Sequence, residues 1–192
     1  MKKNISYFIV LIAIINFSNC KKFEFNGSSS LLKTGDYHKD GIIGYLLKEG
    51  DLGFDINKQH GLIYDIFSSS NSIKWGGAKI TNANGSILGT GNSNSIIIES
   101  KNIGLSGGDC AAIYCNHIGD GSSLGFSDWY LPSIGELILI TIVEKKTYYF
   151  WSSTEKDSVN AWCCIKGPGN YSELKIISKQ SLLYDVLAVR SF

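Results

Sequence analysis

Four cysteines stand where thiol chemistry could occur: Cys110, Cys115, Cys163 and Cys164. Four thiols outside the cytosol allow three disulfide pairings. Cys110 and Cys115 sit in GGDCAAIYCNHIG, a helix-like stretch whose five-residue offset puts them on different faces. Cys163 and Cys164 sit in VNAWCCI, a strand-like stretch in which neighbours point to opposite sides. One helix-to-strand bridge is easier to build than two parallel ones, and buried unbridged thiols are the other reading. A four-thiolate zinc site normally takes Cys-x-x-Cys-type turns, which this spacing does not provide, so no metal is expected.

Other reactive types are sparse. The histidines are His38, His60 and His117, and none sits in a partner motif; His60, in QHGL, suits a turn. Ser152 and Ser153 lack the Gly-x-Ser-x-Gly setting of a hydrolase nucleophile. Asp51, Asp55 and Asn57 place oxygen donors in one loop, but off the EF-hand spacing, so a hairpin connection is the expectation. GTGNSN matches no phosphate-loop pattern. The residues best placed to meet a ligand are Lys166, Tyr171, Lys175 and Lys179 in the polar excursion KGPGNYSELKIISKQ, with Tyr148 nearby. Their competing reading is a solvated strand edge, where lysine discourages edge-to-edge pairing.

The elements that must position these groups are short and mixed. GIIGYLL (41–47) and GLIYDI (61–66) read as strands, with an extended piece over 73–79. Asn92 or Ser93 could cap a helix over SIIIESK, and Gly107 to His117 reads as a second helix. The third has the strongest local signal: Pro132, then Ser133 and Glu136 in a capping box, then an apolar run to Lys145 and Lys146 at the negative end of the helix dipole. YYFWSST, VNAWCCI, ELKIIS and DVLAVRSF read as strands. The expectation is a single compact α+β domain with about three helices, whose first and last strands pair.

Composition bounds the rest. The chain has 192 residues, 44% hydrophobic, with a formal net charge of +1, which is enough apolar surface for one core and too little basic excess for a nucleic-acid binder. Arg190 is the single arginine, so bidentate anion recognition is poorly supplied. Lys2 and Lys3 precede an apolar stretch from Ile5 to Phe17 that is too short for a comfortable membrane span. Ser18, Asn19 and Cys20 follow, in the layout of a signal peptide (1–19) with a relaxed lipobox. Cys20 is the expected acylation site, a plainly cleaved leader being the alternative. Residues 20–40 read as a lipidated N-terminus and flexible tether, and 41–192 as the folded domain. Without residues 1–19, 16 basic residues face 17 acidic ones.

A series of ordered blocks follows: GYLLKEGDLGFDINKQHGLI, IKWGG, GTGNSNSIII, AAIYCN, GFSDWYLPSIGEL, FWSSTE, NAW and LAVRSF. Across residues 41–192 they resemble the C-terminal domain family of the Legionella collagen-like adhesin (Lcl). The resemblance implies a compact α+β domain related to C-type-lectin-like folds on secreted or surface proteins, and no established catalytic activity; no cofactor is expected. Within it, Trp129 and Leu131 should pack beneath the helix capped by Ser133, with Trp151 and Trp162 on strands sharing that core. Arg190 should satisfy a carboxylate, Asp128 or Glu136, or backbone carbonyls, rather than a ligand. The sequence departs from the family at Leu187, where members often carry a second arginine, which weakens the case for sulfated glycans.

The expectation is therefore an envelope or surface lipoprotein, outer-membrane attached, acting as a non-catalytic module that adheres to a glycan or protein. It would meet the membrane through its lipid, bind no nucleic acid, and could oligomerise. The alternative is a structural envelope lipoprotein or assembly subunit without its own ligand. More remote is a metal-dependent enzyme using paired thiolates on a lectin-like fold.

Overall fold

Two antiparallel sheets and three helices follow from the apolar runs along the chain. The computed structural model describes residues 31–39, 41–65, 73–102, 104–106, 109–118, 126–143, 146–168, 171–182 and 184–192. The expected leader, Cys20 and most of the tether lie outside them, as do Lys145, Ile66 and the start of the second expected helix. The chain is an α+β protein.

The first sheet has the order β1-β2-β3-β7, from β1 (Tyr37–His38), β2 (Gly41–Leu46), β3 (Gly61–Tyr64) and β7 (Val189–Ser191). The last strand therefore joins the sheet of the first but pairs with β3, where Ile63 faces Arg190. β7 is short because the rest of DVLAVRSF leaves the ladder; Asp185 bridges the second sheet instead, donating to the Tyr149 carbonyl at 2.7 Å and accepting from the Trp151 N–H. Residues 31–39 belong to the folded body rather than to a tether. Leu32 exchanges two hydrogen bonds with the Gln59 side chain, and Gly35 donates to Ile43.

Three helices follow: α1 (Gly91–Lys101), α2 (Ala111–His117) and α3 (Ile134–Leu139). α1 begins earlier than expected, with Thr90 at the N-cap; the Ser93 hydroxyl only donates back to the Thr90 carbonyl. The capping box of α3 forms as read, Ser133 Oγ accepting from the Glu136 N–H and Glu136 Oε2 from the Ser133 N–H. α3 nevertheless ends at Leu139 and never reaches the lysines. Ile140, Thr141, Ile142 and Val143 are β-branched and favour extended backbone, and the Thr141 N–H is taken by the Gly44 carbonyl at 2.8 Å. Gly44 sits at a bulge in β2, where a Cβ would meet Ile140 at 2.8 Å. Lys146 stands over the Tyr148 ring, at 4.6 Å, instead of serving a helix end.

The second sheet is β4-β5-β6, from β4 (Tyr148–Glu155), β5 (Asn160–Gly167) and β6 (Tyr171–Ser178). Side-chain alternation divides both sheets between two apolar clusters. Ile63, Trp151, Ala161 and Cys163 enter one, with Trp75, Trp129, Leu131 and α1 and α2 residues. Leu62, Tyr64, Phe150 and Cys164 enter the other, with Ile134, Leu137 and Leu187. β4 and β5 are buried along most of both faces, which explains why FWSS and WCCI read as unbroken runs rather than alternating ones. Among the described residues no helix is long and apolar enough to cross a membrane.

Candidate functional site

Three of the four tryptophans are buried: Trp75 and Trp151 completely, and Trp129 nearly so. Trp162 is different. The expectation that it shares the core of Trp129 and Trp151 does not hold: it packs against the other cluster, is half-buried and forms part of a cleft of about 360 Å³. Leu174 of β6 and Ile134 of α3 supply further apolar surface, Thr154 and Glu155 close the end of β4, and Asn84, Ser86 and Lys156 are exposed around it. The Lys156 ammonium stands 5.9 Å from the Trp162 ring centre. Two smaller hollows, of about 210 and 220 Å³, have no tryptophan in their walls.

The wall at 83–87 is held by hydrogen bonds from three elements. Glu155 N–H donates to the Ala83 carbonyl, Thr154 Oγ1 to the Gly85 carbonyl and Gly135 N–H to the Ser86 carbonyl, at 2.7, 2.8 and 3.0 Å. Ser133 Oγ donates to the Ile87 carbonyl at 2.9 Å, so the residue that caps α3 also ties down this loop. Asn94 clasps Gly85 in both directions from α1. Asn82 takes a left-handed φ of 68°, which asparagine tolerates better than most residues. A site held this way keeps its shape before any ligand arrives.

Behind the cleft lies a buried ion pair. Lys179 Nζ meets Glu155 Oε1 at 2.6 Å and also donates to the Lys79 carbonyl, while Thr81 and Asn82 N–H groups reach the same carboxylate. Burial works against the Glu155 charge, but the bonds from Lys179, Thr81 and Asn82 outweigh it and hold the carboxyl below its ordinary range. Lys179 is also 4.5 Å from the Trp75 ring centre.

The residues expected to meet a ligand do not form one surface. Lys179 is inside, and Lys166 is buried as well, donating to Ser172 Oγ at 2.8 Å, with burial lowering its pKa. Tyr148 is buried and stacked on Phe150. Only Tyr171 and Lys175 remain exposed, both engaged by Glu173, and they alternate to the face of β6 opposite Leu174. Sequence reading missed Asn84, Ser86 and Lys156. The signal for Asn84 and Ser86 was the TNANGS turn, but only folding sets it, and Lys156 after FWSSTE, beside Trp162.

The cysteines form no bridge. All four are free and buried, and Cys163 and Cys164 enter opposite clusters. Strand alternation keeps Cys163 and Cys164 apart, and the expected helix-to-strand bridge is not formed either, although Cys110, Cys115 and Cys163 share one cluster. Burial pushes the Cys163 thiol up to about 11 and raises Cys110, Cys115 and Cys164 too, so none is poised as a thiolate. Among the described residues no three His, Cys, Asp or Glu side chains gather in a metal-holding group. His60 Nδ1 lies 2.9 Å from the Phe192 carbonyl, and Asp51 takes the Tyr45 hydroxyl and Lys48 N–H within the β2–β3 connection.

Trp129 and Leu131, expected beneath the helix capped by Ser133, pack instead with residues of α1 and α2, while Ile134 and Leu137 of α3 enter the other cluster. Trp129, Leu131 and Trp151 share one cluster, and the Pro132 carbonyl accepts from Ser153 N–H. Arg190 grips Asp128 through Nε and Nη2 at 2.6 and 2.9 Å, with its guanidinium 3.7 Å from the Phe126 ring centre. Comparison of the chain with protein-family models, curated proteins and solved structures finds no match.

Proposed function

We propose that this chain is an envelope-attached, non-catalytic binding module, and that the Trp162 cleft is where it meets its ligand. The carrying observation is the cleft itself. It places a tryptophan ring beside Leu174 and Ile134, with an amide, a hydroxyl and an ammonium from Asn84, Ser86 and Lys156 around it. A flat apolar face ringed by a few donors and acceptors suits a neutral sugar or a small peptide patch. Attachment rests on the basic-then-apolar leader ending at Cys20. The non-catalytic reading is supported by thiols held protonated on opposite faces of β5. The burial of Lys166 and Lys179 favours a neutral glycan over a sulfated one, because it removes two of the cations a polyanion would need.

A glycan array and heparin column, run at several salt concentrations with the purified chain, test this. Trp162→Ala is expected to weaken retention about tenfold, the loss of roughly 1.4 kcal/mol of ring contact. Binding should fall only weakly with salt. Tyr171→Ala, on the opposite face, should leave retention unchanged. A chain that retains no glycan at any salt instead takes the alternative role of structural envelope subunit.

Attachment has its own test. Cells given a labelled fatty acid should mark the wild-type chain, and Cys20→Ser should abolish the label and release the protein from the membrane fraction. A wild-type chain that stays unlabelled, with its leader intact, contradicts the anchor.

A further inference from the structure

β6 is the open edge of its sheet: β5 lies on one side and, among the described residues, no strand lies on the other. The opposite edge, β4, is covered by Asp185. Lys179 N–H donates to the Val159 carbonyl at 2.9 Å, and this pair continues the register that sets Ile177 against Ala161 and Lys175 against Cys163. In an antiparallel ladder alternate pairs exchange hydrogen bonds. Glu173, Lys175 and Ile177 therefore turn their backbone groups toward β5, while Ser172, Leu174 and Ile176 turn theirs outward.

Natural edges are usually blunted by proline, bulges, shortness or charged side chains, lysine above all. β6 has only the last of these, and its lysine is offset by a carboxylate two residues away. It runs eight residues, keeps an unbroken register with β5, and exposes Leu174 and Ile176 at 42% and 44%. Its charges are one of each sign, Glu173 and Lys175, already 3.3 Å apart.

We propose that β6 pairs antiparallel with β6 of a second copy of this chain, about a two-fold axis through Leu174. The charges select this register. Only an axis through a residue of the strand lets the outward-facing positions of the two copies meet. An axis through Glu173 sets the two Glu173 side chains against each other, and an axis through Lys175 does the same with lysines. An axis at Leu174 sets each Glu173 opposite a Lys175, twice over, and joins Ser172 to Ile176 and Leu174 to itself. Opposite-charge cross-strand pairs favour a register and like charges oppose it. The two three-stranded sheets become one of six strands, a self-complementary contact of the kind found in two-fold dimers. Because Leu174 also lines the Trp162 cleft, the two clefts then open on the same face, on either side of the axis.

Charge reversal in the full-length chain, purified in detergent and followed by sedimentation, tests the register. The wild type should sediment as a dimer. Glu173→Lys and Lys175→Glu should each weaken association at least tenfold, and the double reversal should restore it. Leu174→Cys places two thiols at the axis within disulfide reach and should give a covalent dimer under mild oxidant. Tyr171→Cys, whose copies would lie about 20 Å apart, should not. Circular dichroism confirms that each variant is folded. A monomeric wild type, a dimer indifferent to both reversals, or no Leu174→Cys product above the Tyr171→Cys background each overturns the proposal.

Discussion

Replacing Lys179 with methionine lowers the stability of the folded chain by about 3–5 kcal/mol, the usual cost of orphaning one partner of a buried pair. The lysine has no exposed surface, and its ammonium lies between Glu155 Oε1 at 2.6 Å, the Lys79 carbonyl at 2.8 Å and the Trp75 ring. Methionine fills similar space but leaves the Glu155 carboxylate with only the Thr81 and Asn82 donors. The double variant Lys179→Met/Glu155→Gln should recover part of the loss, since no uncompensated charge remains. Urea unfolding of the four proteins closes the cycle; additive losses would mean the pair is not coupled.

The same cycle carries a pH signature. A carboxyl held below its ordinary value of 4.5 contributes stability that is present above that value and is lost as pH falls through the lowered one. Glu136 works in the opposite sense. Burial raises it despite N–H donors from Ser133, Gly89 and Gly91, so its protonation in acid favours the fold. The wild-type profile mixes the two, but the difference between wild type and Lys179→Met isolates Glu155. That difference should be greatest at pH 7 and shrink as pH falls, because the orphaned carboxylate, with burial no longer offset by Lys179, takes up a proton before the paired one does. A deficit that does not change with pH would show that lost packing, not charge, is responsible.

Gly91→Ala should destabilise by about 3 kcal/mol, although glycine to alanine in a helix ordinarily gains up to about 1 kcal/mol. Gly91 is the first residue of α1 and buried against α3. A Cβ there would press on Glu136 Oε2, lie 2.7 Å from the Ser133 nitrogen and 2.8 Å from the Tyr130 ring. None can retreat cheaply, because Ser133 N–H and Glu136 Oε2 are bonded to each other at 2.8 Å in the capping box. The expected cost combines overpacking with loss of the cap. Asn92→Ala, at the next and exposed position, should instead gain a few tenths. Thermal unfolding of both variants reads the contrast, and a stabilised Gly91→Ala would show that α1 and α3 yield freely.

Much of the local structure was legible. The α3 cap could be read because Ser133 and Glu136 act within one turn, and the β4 and β5 strands because their apolar runs span two buried faces. The end of α3 was not legible, since a neighbouring strand's bulge at Gly44 captures Thr141. Lys166 and Lys179 look like surface lysines in sequence. Only Ser172, across the β5–β6 hairpin, and Glu155, 24 residues upstream, show that they are interior.

By itself, then, the chain's order of residues determined its α+β class, its capping box, the divergence of Cys163 from Cys164 and the leader-like start at Lys2 to Cys20. Those depend on periods of two and 3.6 and on neighbours a few positions apart. Tertiary structure alone decided which tryptophan faces water, which lysines are enclosed and which strand is left as an edge. Each of those depends on separate strands and helices meeting, and short-range patterning carries no information about such encounters.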